Sequence, residues 1–333
     1  MATKLSVFQI GIAGTTASST NELYANNRQQ CKVVINILKV TWDGSSWQKT
    51  NLTQSEINSL TVLPYSAALF PPQAPGWSCD TAANSYTSGL RRSALSFEQS
   101  GPSSTAETVR QVASRSTAND APEVFYRYMR SATTQRQDFM ACVTLDDGTK
   151  YSTHYDNGDE RYESVIGIQP QAPYALRVAD LASSRQDAYQ VEYEKNKWID
   201  VDTYYWTLPS GLWIHGESFS GAGWTTDKLE FAYGKRVDNV LRLGMAIKVG
   251  VTSLTVGEID GGVASNYAPN QVPLINANTV MRGARYSNEN TNNGANYDYR
   301  LYWTVIDNYG CESRFVLIAN TADKGDTLSL LDA

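Results

Sequence analysis

The residues of this 333-residue chain best placed to do chemistry are carboxylates. Glu192 and Glu194 alternate along a run that reads as a strand, Asp200 and Asp202 do the same, and Glu217 follows Trp213 and His215 in a Trp-rich stretch. Alternation puts each pair on one strand face, and glycoside hydrolysis needs two carboxyl groups roughly 5–10 Å apart. A carbohydrate-active hydrolase using paired carboxylates is therefore one reading. Exposed strands often carry such pairs without catalysis, so no catalytic residue is assigned.

Other chemistry is less well supplied. Gly216-Glu217-Ser218-Phe219-Ser220 approaches the serine-hydrolase elbow, but its last position is Ser and no His follows Ser218, which excludes the Ser, acid, His order of that fold. His154 and His215 lack a nucleophile motif beside them and read as hydrogen-bonded structural residues. With so few histidines and no Cys-x-x-Cys pair, no transition-metal site is expected. Asp156-Asn157-Gly158-Asp159-Glu160 gathers oxygen ligands but lacks the spacing of a calcium loop, and it reads as a solvated hairpin tip. Cys31 and Cys142 lie in apolar runs and are expected as buried thiols. Cys79 and Cys311 stand in polar contexts, where a disulfide would suit an exported protein. No nucleotide-binding glycine motif is present, and no cofactor is expected.

Twenty Tyr and 8 Trp against 2 His mark a chain built for contact rather than proton transfer. A net charge of −6 supplies no basic field for nucleic acid. No run of 18 apolar residues suggests a transmembrane helix. At the amino terminus Phe8, Ile10 and Ile12 alternate as a half-buried strand does, and Ser6, Gln9 and Gly11 interrupt what would be the core of a signal peptide. That makes a convincing signal peptide absent and leaves localisation open, release from the cell included.

The elements that must position these groups are strands. Ile35–Trp42 meets Asp43-Gly44, Phe139–Leu145 meets Asp146-Asp147-Gly148, and Leu301–Ile306 meets Asp307-Asn308-Tyr309-Gly310; each run resumes beyond its turn as a hairpin does. Further strands are expected at Ala188–Glu194, Tyr204–Leu208, Gly211–His215, Lys228–Tyr233 and Val240–Val256. Helix is confined to two capping-box signatures, Thr53–Glu56 and Ser104–Glu107. The pattern predicts a mainly β protein of antiparallel sandwich or jelly-roll-like units with few short helices. Two prolines in Gln169–Pro173 place the boundary, giving β-sandwich domains over 1–169 and 170–333.

Trp198, Tyr204, Tyr205, Trp206, Trp213 and Trp224 fall within 27 residues. Rings of this kind anchor interfaces and stack on sugars, so these six are the candidate binding residues, with the Asn-rich run from Asn288 to Asn296 next. The expected function is a non-catalytic binding or assembly subunit with a protein or carbohydrate partner, and such a surface is compatible with homo-oligomers. A rival is a β-type pore-forming toxin, because Ile247–Ser253 alternates apolar and polar residues as a membrane-inserting hairpin does.

Overall fold

The structure is a computed structural model that describes residues 2–91, 121–156, 158, 160–289 and 297–333. The second capping-box signature and most of the Asn-rich run, together with Asn157 and Asp159, lie outside the described residues. The protein is mostly antiparallel β, with 52% strand and 4% helix, as the turn and alternation pattern predicts. The chain divides into two compact units, Met1–Pro173 and Tyr174–Ala333.

The N-terminal unit contains β1 (Thr3–Ile12), β2 (Ser19–Thr20), β3 (Cys31–Trp42), β4 (Trp47–Thr50), helix α1 (Gln54–Ser59), β5 (Thr61–Pro64), β6 (Trp77–Asp80), β7 (Glu123–Ser131), β8 (Gln137–Thr144), β9 (Lys150–Ser152), β10 (His154–Asp156), β11 (Arg161–Glu163) and β12 (Ile166–Ile168). One sheet runs β1-β3-β7-β6 with β4 on β3, and the other β2-β12-β8-β5 with β9 on β8. All of these pairs are antiparallel except β2 with β12. Cys31, Val33, Ile35 and Ile37 send one face of β3 into the core, where Val62, Phe139, Ala141, Val143 and Ile166 of the other sheet meet them. That two-sheet core is a sandwich.

Helix α1 shows why the first capping signature works. Thr53 caps the helix through the Glu56 N–H, and the Glu56 carboxylate accepts from the Thr53 N–H at 2.9 Å. The same carboxylate takes Lys39 Nζ at 2.7 Å and the Asp146 N–H at 3.1 Å. Burial alone would raise the Glu56 carboxyl, but these donors outweigh it and hold the group below its ordinary value.

The C-terminal unit contains β13 (Ala182–Glu194), β14 (Lys197–Thr207), β15 (Ile214–Ser220), β16 (Trp224–Thr225), β17 (Leu229–Val237), β18 (Val240–Ile247), β19 (Leu254–Thr255), helix α2 (Val256–Ile259), β20 (Gln271–Val272), β21 (Val280–Asn288), β22 (Tyr297–Asp298), β23 (Leu301–Asp307), β24 (Glu312–Ala319) and β25 (Leu328–Asp332). A seven-stranded sheet runs β13-β14-β21-β18-β17-β16 with β22 also on β17, and a four-stranded sheet runs β15-β23-β24-β25. One face of the large sheet packs Trp206, Tyr233 and Met281 against Trp303, Phe315 and Leu317 of the small sheet. Its other face packs Val201, Phe231, Met245 and Tyr286 against Leu254, Val256, Ile259 and Val272. The central strands are therefore covered on both sides.

Two sequence expectations are corrected. The strand expected over Val240–Val256 ends at Ile247, because the backbone turns at Gly250 (φ +86) and the carbonyls of Lys248 and Val251 are captured by Arg282. The alternation of Ile247–Ser253 is thus that of a loop and lends no support to the toxin reading. Cys311 is buried, and its N–H donates to the Asp307 side chain at 3.0 Å. All four cysteines are free thiols. Among the described residues no helix is long and apolar enough to cross a membrane.

Candidate binding surface

The structure divides the six candidate aromatics. Tyr204, Tyr205 and Trp206 are buried on β14. Tyr204 and Trp206 stack at 6.1 Å, Trp206 meets Trp303 edge-on at 6.5 Å, and the Tyr205 hydroxyl on the opposite face accepts from the Ile275 N–H. They are buried because β14 is an inner strand covered on both faces, so that from Val201 to Trp206 neither parity of its side chains reaches solvent. Trp198 and Trp213 are each 37% exposed and Trp224 is 45% exposed. Trp198 opens β14 opposite Glu192, whereas Trp213 lies beside the β23–β24 turn, its N–H donating to the Asn308 side chain.

Among the described residues Trp224 has aromatic company that the other two lack. Strands β16 and β22 lie in succession along the outer edge of β17: Trp224 pairs with Phe231, and Tyr297 with Gly234. The Trp224 ring stacks on Phe231 at 4.3 Å with planes 6° apart. Tyr297 and Tyr299 follow with centroids 5.5 Å apart, and Tyr299 is 47% exposed. Glycine makes the room. A Cβ on Gly223 would stand 2.6 Å from the Tyr299 ring and 2.8 Å from the Tyr297 ring, and one on Gly234 would stand 2.7 Å from Tyr297. The three rings form an aromatic ledge on a sheet edge, kept polar by the Lys235–Asp298 ion pair at 2.7 Å. Tyr297 and Tyr299 escaped sequence reasoning because they lie more than 70 positions from Trp224, just past the Asn-rich run.

A second feature is a cleft of about 690 Å³ lined by Glu217, Phe219, Asp227, Lys228, Glu230 and the loop after Lys248. A buried cation, Arg282, and a half-buried carboxylate, Glu217, fix that loop. Arg282 donates to the Val251 carbonyl at 2.7 Å and the Lys248 carbonyl at 2.6 Å, and Glu217 accepts from the Val249 N–H at 2.6 Å and the Trp303 indole at 3.0 Å. Burial raises the Glu217 carboxyl, opposed by these donors and by the Arg282 and Lys248 charges. Burial likewise lowers Arg282, opposed by Glu217. Glu217 is a loop anchor whose two oxygens are both engaged.

The other paired carboxylates are engaged as well. Glu192 accepts from the Asn196 N–H at 2.8 Å and Glu194 pairs with Lys197 at 2.6 Å. Asp200 pairs with Arg285 at 2.8 Å, and Asp202, fully buried, pairs with Arg285 and with Arg185. Among the described residues no group of three or more His, Cys, Asp or Glu is arranged to hold a metal ion. His154 stacks edge-on against Tyr65 and shares a 3.2 Å hydrogen bond with its hydroxyl.

No protein-family model and no curated protein matches the sequence. Among solved structures it is similar to the C-terminal domain of the AgI/II polypeptide BspA of Streptococcus agalactiae, at 7% identity over 92% of this chain and 96% of that one, with a TM-score of 0.22. It is also similar to the C-terminal domain of AspA, an antigen I/II-family protein of Streptococcus pyogenes, at 10% identity over 98% and 99% of the two chains, with a TM-score of 0.23. The fold class rests on this chain's own strand pairing, and TM-scores of that size add no argument to it.

Proposed function

We propose that the protein is a non-catalytic, β-rich binding or assembly subunit that meets a protein or carbohydrate partner through the Trp224–Tyr297–Tyr299 ledge. The observation that supports this reading is the ledge itself: the exposed Trp224 and Tyr299 rings flank the half-buried Tyr297, with Trp224 backed by Phe231 and the tyrosines seated against Gly223 and Gly234. A ring held from behind loses little freedom on binding, which is how a few Trp and Tyr anchors supply most of an interface's energy. The paired carboxylates add no support to a hydrolase, since Glu192, Glu194, Asp200, Asp202 and Glu217 each answer a donor of their own.

The test is a binding screen of wild type and Tyr299→Ala against immobilised polysaccharides and purified surface proteins. A hit should weaken by about 30-fold in the variant, the scale of a hot-spot residue, at unchanged melting temperature. A hit indifferent to both Tyr299→Ala and Trp224→Ala, or sustained cleavage of a panel member that Glu217→Gln abolishes, would refute the reading.

A further inference from the structure

The ledge leaves the cleft beneath the Lys248–Ser253 loop without a role. The two are separate sites: at β16 Trp224 packs on Phe231, while Thr225, the next residue, sends its hydroxyl 2.7 Å to Glu230 in the cleft wall. A volume of about 690 Å³ falls in the range of small-molecule sites. The loop wall is pinned before any ligand arrives, because Arg282 and Glu217 make three hydrogen bonds to its backbone and Glu217 is itself held by the Trp303 indole. One wall is aromatic, with the half-buried Phe219 ring braced by Trp303 at 5.2 Å.

The hydrogen-bonding state of the lining decides the ligand class. Lys248 is occupied by Glu230 at 3.0 Å and the Thr226 carbonyl at 2.7 Å, and Lys228 by Glu258 at 2.7 Å and the Ser253 carbonyl at 2.9 Å. What stays unengaged among the described residues is the Asp227 carboxylate together with the Thr252 and Ser253 hydroxyls. Each ammonium is thus already neutralised by a carboxylate, and the one charge in the described lining with neither an ion-pair nor a hydrogen-bond partner, Asp227, is negative. The vacant groups are a strong acceptor and two hydroxyls beside an aromatic face, a set complementary to a ligand that carries several O–H donors and an apolar C–H face.

We infer that this cleft binds a neutral, hydroxyl-rich ring, a single uncharged sugar residue in chemical class, with Asp227 accepting from its hydroxyls and Phe219 beneath its C–H face. Saturation-transfer NMR and calorimetry on the full chain test this, with glucose, galactose, mannose and N-acetylglucosamine as probes and glucuronate and glucosamine as charged controls. At least one neutral sugar should bind. Asp227→Ala, a change at an exposed position, should weaken it by about tenfold or more, the loss expected for a hydrogen bond to a charged group. Raising the salt from about 50 to about 500 mM should alter affinity by less than about twofold, because no net charge is brought together. Tyr299→Ala should leave it unchanged, so failure here and failure of the ledge are told apart. No transfer from any neutral sugar at about 20 mM, tighter binding of glucuronate or glucosamine, or indifference to both Asp227→Ala and Ser253→Ala would overturn the inference.

Discussion

Replacing Arg282 by Met removes the cation that shapes the cleft while keeping the length and much of the volume of its side chain. Arg282 is buried on β21, opposite Tyr205 of β14 and Ile247 of β18. The loss includes two charge-assisted hydrogen bonds to the Val251 and Lys248 carbonyls and the charge that faces Glu217. At roughly 1.5–3 kcal/mol for each such bond the two account for about 3–6 kcal/mol, and Glu217, left half-buried beside an apolar side chain, adds to that cost. For a unit of this size that lowers the melting transition by about 10 °C. Arg282→Lys should recover only part of the loss, because an ammonium does not reproduce the fork that spans two carbonyls. Calorimetry gives the transition, and hydrogen exchange at the Val249 and Val251 amides reports the loop. An Arg282→Met protein that melts within about 1 °C of wild type with unchanged protection at those amides would refute the account of the loop as charge-pinned.

Three further outcomes follow from the placement of particular residues. Trp206→Ala should cost about 3–5 kcal/mol, as large-to-small changes in a packed core do, whereas Trp213→Ala, at a surface turn, should shift the urea midpoint little; equal effects would show that the core assignment is wrong. In the N-terminal unit the Arg130 bond holds the Asp80 carboxyl below its ordinary value against the pull of burial, and Glu56 is also lowered. A depressed carboxylate contributes stability that is present above its unfolded pKa and lost as pH falls toward the folded one, so the urea midpoint of this unit should fall as pH drops below about 4.5, less steeply in Asp80→Asn, and a flat acid limb would contradict this. Burial pushes the thiols of Cys31 and Cys142 up to about 12, so neither should react with a thiol reagent at pH 8 until denaturant is added, and melts with and without reductant should coincide.

The charged cluster on β14 illustrates how a strand pattern changes meaning in a packed sheet. Asp200 and Asp202 share a face, as their spacing requires, but that face also carries Arg285 directly across from Asp202 on β21. Burial raises the Asp202 carboxyl while Arg285 opposes it. The pair that alternation offers as an acid and a base is consumed by an ion-pair network at the rim of the core. The partner that decides this lies more than 80 positions away.

Local physics was enough to read much of this molecule. Hairpins at Asp43-Gly44, Asp146-Asp147-Gly148 and Asp307–Gly310 need only turn residues between alternating runs, and the Thr53–Glu56 cap needs only four residues, so both were legible in the sequence. Exposure was not. Tyr204, Tyr205 and Trp206 stand among the candidate binding residues in the sequence, and only the covering of β14 on both faces buries all three, because burial depends on which layers lie above and below a strand. In the same way Trp224 becomes part of a ledge only when β22 is laid beside β16 on one edge of β17. The pinned loop at Lys248–Ser253 exists only because β15 and β21 bring Glu217 and Arg282 to it. Periodicity is a property of neighbouring residues in the chain, whereas exposure, ion pairing and cleft shape are set by contacts between residues far apart in it, from 31 positions for Arg282 and Val251 to 86 for Trp303 and Glu217, and those are made by the tertiary fold.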